Sequence, residues 1–441
     1  MDSRLQKSFQ DAAVRNLIPD ELYHKYQVKK GLRNEDGTGV LIGLTRIADV
    51  VGYERDASGR KINCAGELYY RGIPIENLID TVITDEVRGY EKICYLILFG
   101  KLPSRSERKV FETELASRYE LPEGFLANNI LRSPSRNVMN MIQRCLLMLY
   151  QLDPKGDNCS PVNTLDQGLS ILAKMPAMVV YAYEAKAHFF DNASLIIHHV
   201  RPDYGIAENI LNLIRPDGRF TREEAKLLDL VLCLHADHGS GNNSTFSNMV
   251  VASTGTDLYS AFSASVGSLK GPKHGGANIT CCHMMKEVIA QCGYDASDRK
   301  IKNAIHKLKN REMFDQSGLI YGFGHAVYTL SDPRCELLKA QALKLAAGTE
   351  YEKKFAFYRR FEDLTIEMFR KEYGRDICAN IDFYSGLVYE LLGIPEDLYT
   401  PLFVASRSVG WLSHNIEDKL CCNRIVRPAG LYVGKKEKRI K

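Results

Sequence analysis

A mainly α fold divided into two domains is what this sequence predicts, on three observations. Apolar residues recur at three- and four-residue spacing along most of the chain, strand signals are sparse and early, and 441 residues exceed what one core usually supports.

The first stretch, MDSRLQKSFQDAAVRNLIPDELYHKYQ, carries acidic residues early and lacks an apolar h-region, so neither an export signal nor a mitochondrial presequence is expected. The runs GVLIGLT near residue 40 and INCAGELYYRGIP near residue 65 are expected to form a small hairpin or sheet. Helix then dominates. TREEAKLLDLVLCLH opens with Thr221 and Glu224, a capping box, and sets Leu227, Leu228, Val231, Leu232 and Leu234 on one apolar face. FAFYRRFEDLTIEMF spaces Phe355, Tyr358, Phe361, Leu364 and Met368 at three or four residues and ends near Gly374. TPLFVASRSVGWLSH places Thr400 at an expected N-cap and Pro401 at the first helical position, where its missing N–H costs nothing.

The glycine clusters around His274 and in YGFGHA are the expected hinges, because glycine absorbs large backbone changes. They suggest a large discontinuous domain, residues 1–280 with 381–441, and a small mobile domain, residues 281–380.

Hydrophobic residues at 45% and charged residues at 25% match an ordinary globular chain and exclude disorder. No stretch approaches the roughly 18 apolar residues of a membrane span. The formal charge of +4 arises from 58 basic against 54 acidic residues, with a basic solvated tail, GKKEKRIK, and no stripe that would suit nucleic acid. Twelve cysteines are scattered, two pairs being vicinal (Cys281 with Cys282, Cys421 with Cys422), which fits reduced thiols in a cytoplasmic chain. There is no CxxC and no HExxH, so no metal site is expected.

Five segments concentrate chemistry. HADHGSGNN sets His235 and His238 three apart, which places both on one helical face at its end, as a C-capping pair or as ligand-binding groups. In GPKHGGAN, His274 sits near an expected helix N-terminus, whose positive potential favours a neutral ring able to donate a hydrogen bond to an oxygen gaining charge. YGFGHAVYTLSDPR repeats the device with His325, and Arg334 follows in a turn made by Asp332 and Pro333. NIDFYSGLVYELLGIP places Asp382 before an apolar helix, either as its N-cap or, in a dehydrated cleft, as a base with a raised pKa. Arg407 lies mid-helix among Phe403, Val404, Val409, Trp411 and Leu412, and a buried guanidinium needs an anion, for which a carboxylate fits. Arg427, before Pro428, offers another cation. The set suits acid–base chemistry on a small polycarboxylate.

Taken in order, HADHGSGN, GPKHGGAN, GFGHAVYTLSDPR, NIDFYSGLVYELLGIP and VASRSVGWLSH with RPAGLYVG resemble the signature segments of the citrate synthase family, of the bacterial type. The likeness is strong over roughly residues 220 to 430 and weaker at ELYYRGIPIENLI and EKICYLILFGKLP. It implies an all-α homodimer whose large and small domains close over oxaloacetate and acetyl-CoA, with no tightly bound cofactor, in the entry step of the tricarboxylic acid cycle. By the same resemblance His274 stabilises the enol or enolate of acetyl-CoA, Asp382 removes the methyl proton, and His325 polarises and protonates the ketone of oxaloacetate. His238, Arg334 and Arg407 hold the carboxylates, Arg427 comes from the partner subunit, and His235 supports. Citryl thioester hydrolysis then releases citrate and CoA. The sequence departs from the family pattern after GHAV, where many relatives carry Lys or Arg and this chain has Tyr328 and Thr329. Recognition of the CoA phosphates is therefore expected from Lys273, Lys302 or a basic residue of the N-terminal half. The alternative within the family is 2-methylcitrate synthase, which uses propionyl-CoA. Outside it stand a metal-dependent phosphohydrolase built on HADH and a carboxylate-sensing module.

Overall fold

The computed structural model describes residues 1–84, 86–422 and 424–434, so the tail expected to be a solvated basic end lies, beyond Gly434, outside the described residues. The fold is mostly helical, 58% helix and 6% strand, as the periodicity predicts. In chain order the helices are α1 (Ser3–Arg15), α2 (Asp20–Lys25), α3 (Ile75–Val82), α4 (Gly89–Phe99), α5 (Arg105–Ala116), α6 (Val138–Leu152), α7 (Pro161–Asp191), α8 (Ile206–Ile214) and α9 (Arg222–His235). They continue with α10 (Asn243–Ala252), α11 (Leu258–Leu269), α12 (Ala277–Cys292), α13 (Asp298–Lys309), α14 (Pro333–Ala346), α15 (Glu352–Tyr373), α16 (Ile381–Leu391) and α17 (Tyr399–Cys421). Among the described residues no helix is long and apolar enough to cross a membrane.

Local signals set several boundaries. Thr221 and Glu224 form the reciprocal capping box that opens α9, and Gly374, in the left-handed conformation, stops α15. At α17 the helix starts two residues earlier than expected. The helix follows a 3₁₀ turn, Glu396–Leu398, and begins at Tyr399, so Thr400 is already helical and its hydroxyl donates to the carbonyl oxygen of Gly275 instead of capping.

The strands also fall differently. GVLIGLT is not a strand: Leu41 and Leu44 are 85% and 92% exposed, leaving that run without an apolar face to pair through. The hairpin is made by β1 (Ala48–Arg55) and β2 (Lys61–Tyr70), antiparallel in register Ala48 with Tyr70, with an irregularity between Val51 and Tyr53, and β3 (Ile73–Pro74) adds an edge. This sheet supports the His325–Arg334 segment: the Gly66 N–H donates to Ser331 Oγ at 2.9 Å, and the Tyr328 hydroxyl donates to the Glu67 carbonyl oxygen at 3.2 Å.

The core is organised around α17, which packs against α4, α7, α9, α10 and α11. Its length from Val404 to Asn415 is buried, and Trp411 and Arg407 are the two largest fully enclosed side chains in the chain's described part. An apolar helix buried on all sides can be held rigidly in register by packing alone. Any polar group it carries is therefore delivered to a fixed place.

Candidate active site

Four chain segments converge on α17 and bring together seven of the eight residues singled out in the sequence. His235 ends α9, and its Nδ1 bonds the Val231 carbonyl oxygen at 2.9 Å. His238 lies three residues past that helix end, in the loop, and not on a shared helical face with His235. The chain leaves α9 at Ala236, and the loop turns His238 toward His325, ring centroids 5.0 Å apart and nearly perpendicular.

His325 is positioned by a loop whose glycines are obligatory, since Gly322 and Gly324 both have φ near +80°. That loop is bonded to the chain entering α16: the Asn380 N–H reaches the Gly322 carbonyl oxygen at 2.8 Å, and Asn380 Nδ2 reaches that of Gly324 at 2.8 Å. The Val327 and Tyr328 N–H groups both donate to His325 Nδ1, at 3.1 and 3.2 Å. In the neutral ring the proton is consequently on Nε2, which faces away as a donor. Tyr328 stacks on His325 at 4.8 Å and is itself buried, so this departure from the family pattern is a packing residue rather than a surface site.

Asp382 is not an N-cap. Asn380 takes that role, accepting the Asp382 N–H at 3.0 Å, which frees the Asp382 carboxylate in the first turn of α16. Its Oδ1 is enclosed and without a hydrogen-bond partner. Burial pushes its pKa up to about 6, with Arg334 opposing and Asp332 adding to the shift.

His274 lies in the turn before α12. Its Nε2 is 3.1 Å from Ser244 Oγ and 3.2 Å from Asn242 Oδ1, and Trp411 Nε1 donates to Ser244 Oγ at 3.1 Å. The ring is held neutral, its pKa lowered to about 4, by burial first and the Arg407 cation second, where the sequence suggested a helix N-terminus. His325 is likewise lowered to about 4 by burial and then by Arg334, and His235 to about 3 by burial. His238 falls well below the usual histidine range for the same reasons.

The two arginines differ. Arg334 is clamped by Asp332, Nε to Oδ1 at 3.0 Å and Nη2 to Oδ2 at 2.8 Å, both residues being buried. Burial disfavours both charges, and their mutual attraction more than offsets it, raising the Arg334 pKa and lowering that of Asp332. Asp332 Oδ2 also accepts the Ile381 N–H at 3.2 Å, tying the arginine to the helix that carries Asp382. Arg407 donates Nε to the His235 carbonyl oxygen at 2.7 Å, while Nη1 and Nη2 have no partner. Its guanidinium lies 4.8 Å over the ring of Phe403, which also meets His235 and His274 edge-on. Burial lowers its pKa to about 10.

Arg427 stands apart, on the exposed segment after α17, where the Val426 N–H is bonded to Ser253 Oγ. Of the lysines expected to meet CoA phosphates, Lys302 is ion-paired with Glu367 at 2.9 Å and Lys273 is exposed. Sequence reasoning assigned no role to Asp237, Asn242, Ser244, Trp411 and His414, and saw Asp332 only as a turn former. HADH and WLSH contain three of them, Asp237, Trp411 and His414, but their pairing partners are about 170 residues away.

The enclosed surface therefore presents two guanidinium donors, the unpartnered Nε2 of His238 and the unpartnered Oδ1 of Asp382, beside two neutral imidazoles. Leaving a buried polar group unsatisfied costs about 1–3 kcal/mol, more for charges, so four such atoms together mark where a ligand's own polar groups complete the set.

Residues 36–429 match the family model described as citrate synthase, C-terminal domain. The citrate synthase of Haloferax volcanii is 34% identical over 93% of this chain and 97% of its own length. The 2-methylcitrate synthase of Shewanella oneidensis is 31% identical over 83% of this chain and 88% of its own. Among solved structures, the citrate synthase of Thermoplasma acidophilum in ternary complex with carboxymethyl coenzyme A and oxaloacetate superposes with a TM-score of 0.73 at 28% identity, covering 94% of this chain and 98% of that one. Matched over nearly its whole length by model, sequence and fold, the chain belongs to the citrate synthase family.

Proposed function

We propose that this protein condenses acetyl-CoA with oxaloacetate and water to give citrate and CoA. The observation that carries the reading is the enclosed cluster of unpartnered groups, Arg407 Nη1 and Nη2, His238 Nε2 and Asp382 Oδ1, around neutral His274 and His325. The solved relative that holds a CoA analogue together with oxaloacetate supports it.

Arg407 takes a carboxylate of oxaloacetate, with Arg334 and His238 completing the anion site. The Nε2–H of His325 points at the ketone oxygen and polarises it. Asp382 removes a proton from the acetyl methyl group while His274, as a neutral donor, hydrogen-bonds the thioester oxygen that gains charge; such a donor is worth about 3–4 kcal/mol. The enol carbon attacks the ketone carbon, the new alkoxide takes the His325 proton, and water cleaves the citryl thioester, releasing CoA. No tightly bound cofactor takes part. A homodimer supplies Arg427 across its interface, and closure of the 281–380 domain on the rest excludes water. The cytoplasm is the compartment proposed.

Propionyl-CoA as the acyl donor is the second reading, favoured by the relatives named 2-methylcitrate synthase at 31% and 29% identity. One methylene discriminates by only about 1–3 kcal/mol. The test is release of free thiol from each acyl-CoA with and without oxaloacetate. Oxaloacetate-dependent release, faster with acetyl-CoA, is expected. Faster release with propionyl-CoA would move the assignment to 2-methylcitrate synthase, and no release with either would end it.

A further inference from the structure

Two opposite charges lie buried at the site, each acting on the other, and neither completes the other. Arg407 has two spare donors, Nη1 and Nη2, and Asp237 has a spare acceptor, Oδ1; both side chains are fully enclosed. Each is among the charges acting on the other. A buried carboxylate and a buried guanidinium with free valences ordinarily close into a bidentate pair.

The geometry gives the reason they do not. Asp237 Oδ2 accepts the Gly239 N–H at 3.1 Å and lies 3.1 Å from His414 Nε2, which must carry the proton because a carboxylate can only accept. Gly410 lies against the other oxygen, where a Cβ would come within 2.5 Å of Asp237 Oδ1 and 2.6 Å of the Ala236 carbonyl oxygen. Positions 407, 410 and 414 fall on one face of α17, spaced i, i+3, i+7. The helix thus presents a guanidinium, a gap and an imidazole in succession to the loop that carries Asp237 and His238.

We propose that His414 is a positioning residue: it holds the Asp237 carboxylate away from Arg407, and so keeps the Arg407 Nη donors open for a substrate carboxylate. The inference rests on the reading that Arg407 binds oxaloacetate. Without the imidazole, the Asp237 carboxylate is free to turn to the spare donors of Arg407 and to compete with substrate.

The test compares wild type, H414L, H414Q, D237N and the double variant H414L/D237N by calorimetric binding of oxaloacetate and by steady-state turnover. H414L is expected to weaken oxaloacetate binding and raise its KM by about tenfold or more, with kcat at saturation within about threefold of wild type. H414Q, which restores an N–H where Nε2 stood, is expected to recover most of the loss. The double variant should recover it too, because the competing carboxylate is gone; a purely structural role predicts that the second substitution makes matters worse. An H414L affinity equal to wild type, or a double variant no better than H414L, overturns the inference. If H414L does not fold, D237N decides: oxaloacetate affinity within threefold of wild type or tighter supports it, and a larger loss overturns it. Wild type that binds no oxaloacetate defeats the functional reading itself, whereas wild-type binding with unaltered variants defeats only the role of His414.

Discussion

Arg407 caps the end of α9 by donating Nε to the His235 carbonyl oxygen at 2.7 Å, one of the last-turn carbonyls that have no partner within their own helix. One nitrogen of the guanidinium is thus spent on the fold and two are left for a ligand. Replacement by Leu is expected to weaken oxaloacetate binding roughly 100-fold, about 3 kcal/mol, because both charge-assisted bonds are lost. Stability should change little, since an unpaired buried charge disappears together with the cap. Arg407→Lys should not restore binding, as an ammonium cannot reproduce the fork. The readings are calorimetric affinity and thermal melting; wild-type affinity in Arg407→Leu would remove the residue from the anion site.

For Asp382, activity and stability should respond to pH in opposite directions. Its folded pKa is raised to about 6 by burial, above the ordinary carboxylate value near 4. As a base it works only when ionised, so kcat/KM is expected to fall as pH drops through about 6. For folding the sign reverses: the folded state binds this proton more tightly, so the group favours folding at acid pH and that contribution is lost as pH rises through 6. Asp382→Ala should abolish turnover, by a factor of about 10² or more, with oxaloacetate binding largely intact. Asp382→Asn should gain stability over wild type at pH 8 by on the order of 2 kcal/mol, and less at pH 5. Near-normal kcat in Asp382→Ala would return the residue to a structural role.

The segments bearing His274, His325 and Arg407 are legible because each breaks a local rule, histidines in glycine-rich turns and an arginine in an apolar helix, whereas Asp382 obeys one and stands out only through its place among the ordered motifs. Helix α9, with its capping box, and α15, with its stop at Gly374, were legible because caps and periodicity are local. What could not be read depends on distant packing. Nothing near Asp237 reveals that His414 lies against it, 177 residues on, or that Asp332 bonds the N–H of Ile381. GVLIGLT looked like a strand for its apolar content, yet ADVVGYER pairs instead, because it is the one placed beside INCAGELYY. The N-cap alternative for Asp382 falls for a still smaller reason: the helix starts one residue before it, at Ile381, and Asn380 is its cap, accepting the N–H of Asp382 itself.

Gly386 lies where α16 packs against α12. A Cβ there would overlap Cys282 Sγ and come within 2.8 Å of Asn278 Oδ1. Gly386→Ala is expected to destabilise the protein by about 2 kcal/mol or more through overpacking, even though alanine is the better helix former. Adding Cys282→Ala should return part of that loss by removing the nearer obstacle, a non-additive result that denaturant titration would read. Additive losses would place the strain elsewhere.

Trp411 links the rigid core to His274 through Ser244. It is the only tryptophan in the sequence, it is fully enclosed, and its Nε1–H donates to Ser244 Oγ, itself 3.1 Å from His274 Nε2. The indole thereby holds the serine that orients the imidazole. Trp411→Phe keeps an aromatic ring in the pocket but removes the N–H, so the ring of His274 should lose its fixed direction. The expected result is a kcat about 5- to 20-fold lower, on the order of 1–2 kcal/mol for one neutral hydrogen bond acting at a distance, with the KM for oxaloacetate unchanged. Wild-type emission should be blue-shifted, as for a buried indole, and on the proposed role of His274 it should respond to acyl-CoA. A Trp411→Phe enzyme with normal kcat would mean that Asn242, 3.2 Å from the same nitrogen, suffices to orient the ring.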